Sequence, residues 1–131
     1  MTIDDLKIQE REAYDKLFAD CGVFFAFSDE QFLENKTPLT EGEKYTSIGH
    51  GGYMPKSKVN AYIQGSKDIR KGFASKIKES KELRYAHIRY ELANHEAQYT
   101  GELDDTMEAL GPEYTREEVY VEYKYMAAQA V

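Results

Sequence analysis

The 131 residues predict an α+β fold in which a small two- or three-stranded antiparallel sheet packs against a mainly helical body with a central two-faced helix. Three observations predict it. Apolar residues recur at helical spacing through several long stretches. The continuous apolar run Val23 to Phe27 is bounded by Gly22 and Ser28 and is too short for a helix. The segment Gly49-His50-Gly51-Gly52 separates two further strand-like stretches as a turn does. The length suits one domain, residues 1–131, which can bury a core without metal or disulfide staples.

A first helix opens at the N-cap Thr2, carries Ile3, Leu6, Ala13, Leu17 and Cys21 at helical period, and closes at Gly22 in the left-handed position that ends many helices. Val23–Phe27 reads as a buried strand. Ser28 and Gln31 form a capping-box pattern for a short helix from Asp29 to about Glu34, stopped by Thr37-Pro38. After a loop rich in Thr, Glu and Gly, Lys44–Ile48 and Tyr53–Met54 read as strands, and Pro55 approaches a long helix. There Val59, Tyr62, Ile63, Ile69, Phe73 and Ile77 line one face, interrupted by Gly65 and Gly72. Ser80 caps a helix expected from Lys81 to about Tyr99. Its two apolar stripes, Leu83, Ala86, Tyr90, Ala93, Ala97 and, opposite, Ile88, Leu92, Tyr99, predict a helix covered on two faces. A short helix starts at Asp104 or Asp105 and stops at Gly111-Pro112, and Thr115 with Glu118 boxes the start of the last helix.

Charge falls in three blocks. Residues 1–44 hold 11 acids and 5 bases, residues 45–90 hold 3 acids and 10 bases, and residues 91–131 hold 10 acids and 2 bases, for a net charge of −7. That acidic balance argues against indiscriminate nucleic-acid binding. The single cysteine, Cys21, has no partner for an internal disulfide, and the N-terminus lacks the pattern of a signal peptide. No apolar run is long enough to span a membrane. A cytoplasmic protein without a cofactor is expected.

Phe24–Phe32 (FFAFSDEQF), Tyr45–Val59 (YTSIGHGGYMPKSKV) and Tyr90–Gly111 (YELANHEAQYTGELDDTMEALG) together resemble a family of small uncharacterised proteins of bacteriophages and mobile elements, a domain of unknown function. The resemblance spans about Leu17 to Val119. It supplies no catalytic residue or ligand to carry over. What it implies is context: small phage proteins frequently act by binding and diverting a host component, defence systems among them.

Residue chemistry offers three candidate sites. His50, Gly51 and Gly52 in the glycine turn, with Lys56, Lys58, Lys67, Arg70 and Lys71 beyond it, combine approachable backbone N–H groups with positive charge, the chemistry of an anion or acidic-partner site. The spacing is that of neither a P-loop nor a dinucleotide fingerprint, so a plain hairpin turn is the competing reading. His87, Glu91 and His95 at i, i+4 and i+8 carry metal-ligating groups. They fan over roughly 80° of the helix, and His95 falls beside an apolar stripe, so partly buried, hydrogen-bonded roles suit them better. In the last helix Tyr120 and Tyr123 share a face with Val119 and Ala127, which leaves Val121 and Tyr125 pointing elsewhere, and Tyr120, Val121 and Tyr125 mark a candidate interface or self-association surface. Nothing supports a nucleophilic elbow or an EF-hand loop.

Together, residue chemistry and resemblance predict a non-enzymatic binding protein of phage or mobile-element origin that modulates a host macromolecule, such as a defence complex. Two alternatives stand beside it: a binder of a small nucleotide-like anion, and a metal-dependent hydrolase built on the histidine helix.

Overall fold

Local sequence signals set most element boundaries in the computed structural model, which describes residues 1–130. Val131, the last residue of the predicted domain, lies outside the described residues. The elements run α1 (Ile3–Cys21), β1 (Phe24–Phe25), α2 (Asp29–Asn35), β2 (Tyr45–Gly49), β3 (Gly52–Pro55), a 3-10 turn (Lys56–Lys58), α3 (Val59–Lys78), α4 (Lys81–Asn94), α5 (Ala97–Thr100), α6 (Asp104–Leu110) and α7 (Arg116–Gln129). The fold is α+β, as the sequence predicts. The chain divides into two compact units, residues 7–73 and residues 1–6 with 74–131.

In the unit of residues 7–73 the three antiparallel strands are ordered β1-β3-β2, with Phe24 opposite Tyr53 and Thr46 opposite Met54. The register slips between Ser47 and Gly49. Phe24 packs its ring against Phe32, Tyr45 and Tyr53 at 5.2, 5.3 and 5.7 Å between centroids. Met54 beneath them is fully buried.

The strand expected over 23–27 shortens to Phe24–Phe25 for a reason visible in α2. Ser28 caps that helix, and two of its side chains then occupy the strand's outer edge: Gln31 Oε1 accepts from the Phe27 N–H at 2.9 Å, and Asn35 Nδ2 donates to the Phe25 carbonyl at 2.9 Å. These bonds satisfy groups that another strand would otherwise pair.

In the other unit α4 packs against α5, α6 and α7. Its buried residues are His87, Ile88, Glu91 and Leu92, so the covered face is the predicted Ile88–Leu92 stripe widened by two polar residues. Ala93, assigned to the opposite stripe, is exposed, and Tyr99 is 73% exposed. The helix expected to reach Tyr99 stops at Asn94, because Glu96 turns left-handed (φ 55°) and starts the separate helix α5. The Thr115–Glu118 capping box forms in full at the start of α7.

Candidate functional site

The basic block does not form one surface. On α3 the side chains of Lys67, Arg70 and Lys71 project within about 100° of one another at 3.6 residues per turn, all three are exposed, and none makes an ion pair among the described residues. Ile63, expected on the packed face, falls between Lys67 and Arg70 in helical projection and is 47% exposed. In the same unit Phe18 stacks on Tyr62 at 6.0 Å and meets the edge of the half-exposed Phe25 at 6.1 Å. Burial pushes the Tyr14 phenol upward, partly countered by the nearby Arg70 charge. The result is a cationic helix face beside half-exposed rings.

Lys56 and Lys58 belong elsewhere. They sit on the 3-10 turn, about 13.5 Å along the helix axis from Lys67 for Lys58 at 1.5 Å per residue. Lys58 lines a cleft of about 520 Å³ together with Cys21, Gly22, Thr37, Glu43 and Ser57. There Ser57 Oγ donates to Glu43 Oε1 at 2.5 Å, and the Thr40 N–H donates to Glu43 Oε2 at 3.2 Å. These donors, the serine first, hold the Glu43 carboxyl below its usual range. Burial pushes the Cys21 thiol up, which suits an inert core cysteine rather than a nucleophile. The cleft was not foreseen in the sequence, because its walls come from the end of α1, the 36–44 loop and the 3-10 turn, none of which carries a motif.

The glycine segment is a hairpin turn between β2 and β3. Gly49, His50 and Gly51 all have positive φ (87°, 52° and 78°), and the Ala26 N–H donates to the Gly51 carbonyl at 2.9 Å. A Cβ on Gly51 would lie 2.4 Å from the Phe27 ring, and one on Gly52 would lie 2.7 Å from Ile48 Cγ1. Turn geometry and close packing therefore account for these glycines, and His50 stands exposed at the tip.

His87 and Glu91 are buried within the unit containing α4, each 5% exposed. His87 Nδ1 and the Tyr114 hydroxyl share a hydrogen bond of 2.7 Å. His87 Nε2 stands 3.9 Å from Glu91 Oε1, and His95 Nε2 stands 3.5 Å from Glu91 Oε2 without hydrogen-bond geometry. No group of three His, Cys, Asp or Glu residues is placed to hold a metal ion among the described residues. Arg84 closes the network from outside: its guanidinium lies 4.1 Å from the Tyr114 ring centroid, reaches Glu118 Oε1 at 2.5 Å and donates to the Glu113 carbonyl at 2.8 Å. The Glu118 bond holds the guanidinium more firmly protonated, while burial pushes the Tyr114 phenol to about 12. Chemically this is a buried cluster of polar side chains. Tyr114, Arg84 and Glu118 complete it and were not singled out in the sequence as partners of His87.

Tyr120, Val121 and Tyr125 on α7 are 47%, 59% and 56% exposed. Tyr120 stacks on Tyr123 at 5.9 Å and carries Lys124 Nζ 4.9 Å from its ring centroid. Tyr125 lies under Arg89, whose Nε donates to Glu122 Oε2 at 2.7 Å. Beside it Gln98, Tyr99 and Met126 help to line a shallow groove of about 320 Å³.

Fold and surfaces thus define a small α+β protein with a cationic face on one helix and a tyrosine-bearing face on another. No described helix is long and apolar enough to cross a membrane. The chain belongs to DUF7659, a family of unknown function whose model matches residues 6–129. Comparison with curated proteins and with solved structures gives no match.

Proposed function

We propose that this is a non-enzymatic binding protein of phage or mobile-element origin that modulates a host macromolecule by docking an acidic protein surface on α3. The observation that carries the reading is the set Lys67, Arg70 and Lys71, exposed and without ion pairs around the exposed Ile63. Leaving three cations unpaired on one face creates a local positive potential that steers an anionic partner and selects against basic ones. An exposed isoleucine between them offers the apolar anchor that charge alone does not provide. A host defence component is the form of partner that the phage resemblance suggests.

The test is capture from a bacterial host lysate by the intact chain and by a Lys67→Glu/Arg70→Glu variant, with titration against polyglutamate and against nucleotides in parallel. The variant should keep its melting temperature, since exposed unpaired cations add little to stability. It should lose at least about tenfold in polyglutamate affinity and show a flatter salt dependence. Unchanged binding at all salt concentrations would remove this face from the function. Tight nucleotide binding that survives the substitutions would transfer the argument to the small-anion reading.

A further inference from the structure

The outer face of α7 carries a charge pattern that is complementary to itself. In helical projection Glu117, Tyr120, Val121, Lys124 and Ala128 lie within about 100° of one another, and all five are exposed. Glu117 and Lys124, seven residues apart, fall within about 20° of one line along the helix. Neither makes an ion pair among the described residues. Tyr120 is held in place between the Tyr123 ring and the Lys124 ammonium, so this apolar centre is ordered before anything covers it.

We propose that α7 pairs antiparallel with α7 of a second copy of this chain, about a twofold axis passing between Tyr120 and Val121. In that register Glu117 of each copy meets Lys124 of the other at both ends of the contact. At the axis Tyr120 lies against Tyr120 and Val121 against Val121. A twofold interface requires one patch to be complementary to itself, and an acid and a base placed symmetrically about an apolar pair meet that requirement. Unspecific pairing is opposed, because residues 1–6 and 74–131 carry 14 acids against 7 bases. A register that matches opposite charges escapes that repulsion, whereas a parallel one would set Glu117 against Glu117.

Sedimentation equilibrium of the full chain over a wide concentration range tests the proposal. A reversible monomer–dimer equilibrium is expected. Lys124→Glu and Glu117→Lys should each weaken it by about tenfold or more, because each places like charges opposite one another. The double variant Glu117→Lys/Lys124→Glu should restore association to within about threefold of the wild type, since it exchanges the two members of each pair. Circular dichroism of all variants separates loss of association from loss of the helix. A chain that stays monomeric throughout overturns the proposal, as does a double variant no better than the worse single one.

Discussion

Two glycines of α3 should respond to alanine with opposite signs, although they share a helix and a sequence spacing. In an exposed helix interior Gly→Ala is favourable by about 1 kcal/mol, because alanine restricts the unfolded chain and the helix accepts its side chain. Gly72 has nothing within 4 Å of where its Cβ would lie, so Gly72→Ala should gain about 0.5–1 kcal/mol. At Gly65 the new Cβ would stand 2.4 Å from Leu17 Cδ1, 3.1 Å from Cδ2 and 3.3 Å from Cγ, which forces Leu17 of α1 to move by about 1 Å to regain van der Waals separation. Overpacking of this kind costs about 1–3 kcal/mol. Set against the propensity gain, Gly65→Ala should destabilise by about 0–2 kcal/mol. Urea denaturation followed by far-ultraviolet circular dichroism measures both. The double variant Leu17→Ala/Gly65→Ala should show a favourable coupling of about 1 kcal/mol or more, because removing the leucine removes the clash. Equal stabilisation by Gly65→Ala and Gly72→Ala would refute the account of Gly65 as the point of close approach between α1 and α3.

Tyr114 supplies a pH signature. Its phenol is raised from 10 to about 12 in the fold, so the stability it contributes is fully present below pH 10 and is lost as pH rises through about 12, a loss on the order of 2 kcal/mol. Tyr114→Phe should therefore show a shallower fall in stability between pH 10 and 12 than the wild type, and parallel curves would count against a buried neutral phenol. At the hairpin, Gly51→Val should lower stability by about 1–2 kcal/mol through its positive φ alone, with the exposed Phe27 ring swinging aside at little cost; unchanged melting would mean that the turn tolerates another conformation.

Local chemistry explains why the helix starts were legible in the sequence. Ser28, Ser80 and Thr115 each accept from the backbone N–H three residues on, a contact decided within one turn of chain. Likewise, Gly22 closes α1 at φ 69° as a residue without a Cβ can. The end of α4 was hidden because no glycine or proline marks it. Glu96 takes the left-handed conformation instead, at a cost that tertiary packing must cover. Strand β1 was overextended for a related reason: the continuous apolar run read as buried throughout, whereas only Phe24 and Ala26 are buried and Phe25 and Phe27 are exposed, and the side chains that end its pairing, Gln31 and Asn35, belong to the following helix.

The candidate sites were legible in residue type and obscured in grouping. Apolar periodicity counts only apolar residues, so it placed Ile88 and Leu92 on a covered face and gave no sign that His87 and Glu91 share it. Tyr114, which shares a hydrogen bond with His87, is 27 residues away in sequence. Burial of the pair is acceptable only because such partners exist, since an unsatisfied buried polar group costs about 1–3 kcal/mol.

The basic block of residues 45–90 separates into two populations once partners are assigned. Lys76, Lys78, Arg84 and Arg89 are bridged to Glu79, Glu113, Glu118 and Glu122 at 3.8, 3.4, 2.5 and 2.7 Å. Of these, Arg84–Glu118 is the pair with weight in the fold: its two side chains are largely shielded, at 27% and 28% exposure, and Glu118 is also the capping acid of α7. Removing Arg84 would leave that acid without its counter-ion while it still has to cap the helix. Lys67, Arg70 and Lys71 have no such duty. A fold that needed its positive charge only to balance its acids would place every cation against one, as it places Lys76, Lys78, Arg84 and Arg89. That three remain unmatched on α3, around an exposed isoleucine, is the physical reason for seeking the partner there.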